Sequence, residues 1–197
     1  MNYKGIIFDF FGVISSEVAP FWFGKYFLQE QIGELKEKYA PPADRGEISY
    51  KQFIDQIARV ASASPEDVKK EWDNLVVINE NVIAFIKKAK SIYKIGLLSD
   101  APAEFLRGIL HAHNLESLFD EIVISSEVRM TKKNKDIYSL ILKKMELSAT
   151  EVIFIDDNVN NIKLAEQLGI KGYEYDSTKD LAHSVDELDP SLKEKTV

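Results

Sequence analysis

A chain of 197 residues can bury one sizeable core, or one core with a small appendage. Its net charge of -7, spread over scattered acids, disfavours nucleic acid as a partner, and the basic cluster Lys132-Lys133 with Lys135 is too short to reverse that. No apolar run approaches the roughly 18 residues of a membrane span, and the lack of cysteine excludes disulfides and thiolate catalysis.

The first apolar run begins by about Tyr3, which leaves no room for a signal peptide and makes a cytoplasmic location the default expectation. Strands are predicted over Lys4 to Phe10, Tyr93 to Leu98, Glu121 to Ile124, Glu151 to Ile155 and Lys171 to Tyr175. Helices are predicted between the later four: Pro102 to His111, Asp136 to Met145, and Asn160 to Leu168, stopping at Gly169. This alternation predicts an α/β fold, a Rossmann-like parallel sheet flanked by helices.

The span from about Ser15 to Lys90 breaks the pattern, being far longer than the ~12 residues a crossover needs. Its content reads as helical. Ser64-Pro65-Glu66-Asp67 is a strong helix start, Phe53, Ile54, Ile57 and Val60 recur at helical spacing, and Pro41-Pro42 is expected to break the segment. The expected organisation is a core of residues 1–15 and 88–197, with an α-helical insertion over 16–87 set as a lid over the strand ends. The stretch Val82 to Lys90 is expected to be a core helix, and the chain after about Ser184 to fray.

Three apolar runs end in reactive polar residues: Asp9 after the first strand, Ser99-Asp100 after the second, and Asp156-Asp157 after the fourth. Lys132 stands in the loop after the third. The carboxyl ends of parallel strands are where ligands bind, so these side chains are expected at one rim. Asp9 there can be a nucleophile toward phosphorus or carbon, or a metal ligand; its plain alternative is a turn residue. Gly12 permits a tight turn and close approach of a ligand. Asp156-Asp157 beside Asp9 suits a cation such as Mg²⁺, or else caps the helix near Asn160 with help from Asn158 and Asn161. Ser99 and Lys132 can hold the oxygens of a transferring group.

Asp9-Phe10-Phe11-Gly12-Val13, then Leu97-Leu98-Ser99, then Lys132, then Ile155-Asp156-Asp157-Asn158 with Asn161 resembles, in order, the motifs of the haloacid dehalogenase superfamily. The insertion falls where that family carries its C1 cap. Ser125-Ser126-Glu127-Val128 before the lysine and Ile137-Tyr138 after it are similar too. Arg45-Gly46-Glu47-Ile48-Ser49 and the Asp-Asp-Asn text resemble the bacterial α-glucose-1-phosphate phosphatase subgroup. The resemblance implies a Mg²⁺-dependent phosphatase of a small phosphorylated metabolite, with a sugar phosphate as one candidate, acting as a monomer or homodimer. It implies Asp9 as nucleophile, and Ser99 and Lys132 as phosphate grips, with Asp100 beside them. It implies Mg²⁺ held by Asp9, the Phe11 backbone carbonyl and Asp157, with Asp156 as a ligand or behind one.

Two departures bear on chemistry. Phe11 stands where most phosphatases of this superfamily have an acid-base Asp, which implies slow turnover of poor leaving groups. Asp100 stands where Asn is usual, and is expected either to turn away or to stay protonated as a substitute acid. The stretch after Lys132 also lacks the family's usual Pro, with little consequence expected. The aromatic cluster Phe21, Trp22, Phe23, Tyr26 and Phe27 reads as core packing, with Trp22 or Tyr26 facing a cleft as the lesser alternative. Arg45 reads as a turn residue or an anion contact, and His111 and His113 receive no role. The competing readings are a metal-independent haloacid dehalogenase and a non-catalytic binding or regulatory protein.

Overall fold

The computed structural model describes residues 3–179 and 181, so the expectation for the stretch after Ser184 lies outside the described residues. Five parallel strands form one sheet in the order β3-β2-β1-β4-β5: β1 Gly5–Phe8, β2 Lys94–Ser99, β3 Glu121–Ile124, β4 Val152–Asp156 and β5 Lys171–Glu174. β1 stops short of the predicted Phe10 for a local reason. The Phe10 amide folds back onto the Asp9 carboxylate (2.7 Å), and the Phe10 carbonyl accepts from the amides of Ile14 and Ser15 (2.8 and 2.9 Å). The chain therefore leaves the ladder just where Asp9 is presented.

Side chains alternate across the sheet, Ile6 and Phe8 to one face and Ile7 to the other. Helices α8 (Lys135–Met145) and α9 (Val159–Glu166) cover the Ile7 face with Ile137, Ile141 and Ile162. Helices α5 (Glu80–Ala89) and α6 (Ala103–Ala112) cover the opposite face with Ile86, Leu106 and Leu110. A sheet buried on both faces explains why its strands read as unbroken apolar runs. A four-residue helix, α7 (Ser125–Val128), follows β3.

Between β1 and α5 stand α1 (Ala19–Tyr26), α2 (Gln29–Asp44), α3 (Tyr50–Ala61) and α4 (Pro65–Asn74). The Ser64 hydroxyl accepts from the Asp67 amide at 3.1 Å and caps α4, with Pro65 in the first turn, as its sequence predicts. On α3, Phe53, Ile54 and Ile57 are buried, but Val60 is exposed and lies off the stripe. Trp22, Phe53 and Trp72 belong to the same apolar cluster as Phe8 and Leu97, so these helices share a core with one face of the sheet.

Pro41-Pro42 does not break the segment. Both lie inside α2, in its last turn. Proline lacks only the donor, and near a helix end its carbonyl is still useful. Here the Pro41 carbonyl accepts from the Arg45 amide (3.0 Å) and that of Pro42 from the Glu47 amide (2.9 Å), which closes the helix onto the following turn.

The insertion leaves and rejoins the sheet side by side. The Ser16 amide donates to the Val77 carbonyl and the Asn79 amide to the Ile14 carbonyl, both at 2.9 Å. The expected seam at 87/88 falls inside α5, and the chain already bonds back to the first strand's loop at Asn79. Among the described residues, no helix is long and apolar enough to cross a membrane.

Candidate functional site

The strand order runs outward in both directions from β1, to β2 and β3 on one side and to β4 and β5 on the other. The crevice between β1 and β4 is thus the switch point where α/β sheets bind ligands. Asp9 leaves β1 there, and Asp156 ends β4 beside it.

Lys132 lies between them, its Nζ 2.6 Å from Asp9 Oδ2 and 2.7 Å from Asp156 Oδ2, with all three side chains buried. Asp156 is fully engaged. Its Oδ1 accepts from the Asn158 amide at 2.7 Å, and both of its oxygens lie 3.1 Å from Asn161 Nδ2. Asn158 itself caps α9 by accepting from the Asn160 amide (3.0 Å). The cap and the acidic centre therefore coexist, using different side chains.

Asp157 turns toward the same point. One carboxylate oxygen from each of Asp9, Asp156 and Asp157 lies within 4.8 Å of the others. Gly12 makes this possible: its φ is +87°, and a Cβ there would stand 2.2 Å from Asp157 Oδ2. Phe11, in the same turn, lines the cavity alongside Asp9 and Asp157.

The electrostatics are unbalanced. Burial holds the Asp9 carboxyl well above the usual carboxylate range, against the pull of Lys132 and with a further push from Asp156 and Asp157. Burial, followed by Glu17 and Asp156, lifts Asp157 to about 6. Burial works against the Lys132 ammonium, but Asp9, Asp156 and Asp100 outweigh it and hold the lysine charged. One ammonium faces three carboxylates, which leaves an excess of two negative charges when all are ionised. An all-oxygen set with that excess fits a divalent cation such as Mg²⁺.

Above the strand ends is a cavity of about 520 Å³. Its floor includes Asp9, Asp100, Lys132 and Asp157, and its upper walls come from α2, α3 and α4 through Asp44, Phe53 and Trp72. Phe11 stacks on Phe105 of α6, centroids 5.7 Å apart and planes at 6°. Asp100 does not turn away: its two oxygens accept from the Lys132 amide at 3.0 and 3.2 Å, fixing the loop that carries the lysine. Burial raises its carboxyl, while Lys132 pulls it down. Ser99 ends β2 fully buried; it does not line the cavity, and its hydroxyl has no hydrogen-bond partner among the described residues.

Trp22 and Tyr26 turn to Glu71 instead of the cavity (Nε1–Oε2 3.2 Å, Oη–Oε2 2.7 Å). The packing reading holds for buried Trp22 and Phe23, while Tyr26 and Phe27 are half-buried and Phe21 points to solvent on the outer face of α1, so for Phe21 it fails. Arg45 reaches the cavity wall, yet its guanidinium forks onto Glu47 at 2.6 and 2.9 Å. His111 and His113 are exposed and away from the cavity. Sequence reasoning missed Asp44, Trp72 and Phe105. The only local signal was the Pro41-Pro42 pair, which places Asp44 at a helix end.

A sequence model described as haloacid dehalogenase-like hydrolase matches residues 3–169. The chain is 22% identical over 184 residues to a phosphorylated carbohydrates phosphatase of Thermotoga maritima, covering 85% of this chain and 82% of that protein. It is 32% identical over 76 residues to a sesquiterpene phosphatase of Aspergillus oryzae, a stretch that spans only 39% of either chain. In shape it is similar to a haloacid dehalogenase family enzyme of Bacteroides thetaiotaomicron solved as a magnesium complex, with a TM-score of 0.78 and 22% identity over 94% of this chain and 99% of that one.

Proposed function

Since the chain belongs to the haloacid dehalogenase-like hydrolases, we propose that it is a Mg²⁺-dependent phosphatase of a small phosphorylated metabolite, with Asp9 as the nucleophile. The observation that carries this reading is the Lys132 ammonium held between Asp9 and Asp156, with Asp157 beside them, at the switch point of the sheet. Asp9 attacks phosphorus while the bond to the leaving oxygen breaks, and water then hydrolyses the aspartyl-phosphate.

Lys132 orients the Asp9 carboxylate. Two of its three N–H donors are used by Asp9 and Asp156, and the third is free for a phosphoryl oxygen. Bound between Asp9, the Phe11 carbonyl and Asp157, Mg²⁺ would neutralise phosphoryl charge. Asp156, saturated by Lys132, Asn158 and Asn161, acts behind these ligands by positioning them.

The helices from 16 to the return at Asn79 serve as the cap that encloses the substrate. The Thermotoga relative acts on phosphorylated carbohydrates, and a sugar phosphate fits a cavity of about 520 Å³ with Lys36, Glu37 and Lys133 at its wall. A metal-free dehalogenase is the weaker reading, because it leaves the excess charge of three clustered carboxylates uncompensated.

The test is phosphate release from a panel of phosphorylated metabolites, with and without Mg²⁺. Activity that needs Mg²⁺ and falls by about 10⁴-fold or more in Asp9→Asn is expected. Asp9→Asn releasing phosphate at the wild-type rate would overturn the proposal.

A further inference from the structure

The reaction proposed above leaves one chemical requirement unmet. Breaking the bond to an alcohol oxygen yields an alkoxide, which needs a proton as it departs. Phe11 and Phe105, stacked over the cavity, have none to give.

The ionisable side chains of the cavity can be taken in turn. Asp9 and Asp157 face the cation site, and Lys132 is held between two carboxylates. Lys36 faces Glu17 at 3.4 Å and Lys133 faces Glu37 at 3.2 Å, while Arg45 is forked onto Glu47. Burial raises the Asp100 carboxyl as well, but both of its oxygens are tied to the Lys132 amide and hold the lysine's loop. Glu174, on the edge strand β5, is exposed. Asp44 remains. Its carboxyl has no hydrogen bond or ion pair among the described residues, although it lines the same cavity as Asp9.

We infer that Asp44, from the end of α2, is the group that protonates the leaving oxygen, an inference that rests on the phosphatase reading. Its position is fixed from the sheet side. The Ser125 hydroxyl donates to the Asp44 carbonyl at 2.6 Å and itself accepts from the Ala101 amide at 2.9 Å. Two residues on, Gly46, with a φ of +66°, lies so close to Ser126 that a Cβ would stand 2.5 Å from its carbonyl oxygen. The helical insertion thus supplies the acid, and the core that carries the nucleophile's partners holds it in place.

The surroundings suit a carboxyl that is protonated near neutrality. Burial, and then Asp100 across the cavity, push Asp44 up to about 7, against the pull of Lys36 on α2, Lys132 in the loop after α7, and the adjacent Arg45. The proton moves from the Asp44 carboxyl to the leaving oxygen as that oxygen takes the electron pair of the breaking P–O bond. Asp44, now a carboxylate, recovers a proton from the water that attacks the aspartyl-phosphate, so the cycle closes with one water consumed.

The experiment compares kcat/KM for 4-nitrophenyl phosphate and benzyl phosphate, which are alike in size but differ widely in leaving-group acidity, in wild type, Asp44→Asn and Asp44→Glu with Mg²⁺. Asp44→Asn is expected to lower benzyl phosphate cleavage by about 10²-fold more than 4-nitrophenyl phosphate cleavage, with partial recovery in Asp44→Glu. The wild-type benzyl phosphate profile is expected to fall above about pH 7, and that limb to vanish in Asp44→Asn. Equal losses on both substrates, or no loss, overturn the assignment and make Asp44 a structural residue. A wild type that releases phosphate neither from these esters nor from the metabolite panel overturns the phosphatase reading itself, a separate result read before any variant is compared.

Discussion

Lys132 is paired with two buried carboxylates at once, and its removal would leave both without an ion-pair partner among the described residues. Breaking a buried pair by deleting one partner typically costs about 3–5 kcal/mol, because the surviving charge stays desolvated. Lys132→Met, of similar length but uncharged, is expected to lose stability of that order in urea unfolding without Mg²⁺, and to lose less with Mg²⁺ present. Asp44 makes the opposite prediction. Its folded carboxyl titrates near 7 and its unfolded one near 3.9, so between those values the native state holds a proton that the unfolded chain has released. Its contribution to stability therefore falls as pH rises from about 4 to about 7 and is flat above. Asp44→Asn is expected to match wild type near pH 4 and to be more stable above pH 7, by at most about 4 kcal/mol, in denaturation series across pH. At this scale Asp9, Lys132 and the acidic pair were legible because each ends an apolar run or stands in fixed order with residues that do. Asp44 was not, because nothing in its local text says that it will line the same cavity as Asp100.

The junction between α2 and α7 decides how the helical insertion sits. The Ser125 hydroxyl ties together two backbone groups, the Asp44 carbonyl and the Ala101 amide, from opposite sides of the cavity mouth. Ser125→Ala would leave the Ala101 amide buried without that acceptor. The expected cost is about 1–3 kcal/mol in chemical denaturation, with a rise in KM larger than the fall in kcat. The strands were legible because a sheet covered on both faces writes itself as apolar runs. The end of α2 was not. Pro41 and Pro42 are breakers by local rule, yet their carbonyls bind the turn at Arg45 and Glu47, and that closure depends on a docking partner far along the chain. Val60 failed for the converse reason: helical spacing extended the stripe by one turn, but the neighbouring helices do not reach it.

For the molecule as a whole, the parallel sheet, the insertion between the first two strands and the clustering of strand-end residues were readable from order and spacing alone. The seam between insertion and core was not, since α5 is apolar in its own right and reveals where it packs only once the sheet exists. The central place of β1 has a further outcome. Its ladder neighbours, Lys94 to Leu97 and Val152 to Ile155, arrive roughly 90 and 150 residues after it. A nascent chain shorter than that holds Asp9 at the end of an unpaired strand, with neither ammonium nor acidic partner assembled around it. The acidic cluster and its lysine can therefore come together only after β4 has been made, and long-range closure of this kind favours slow folding.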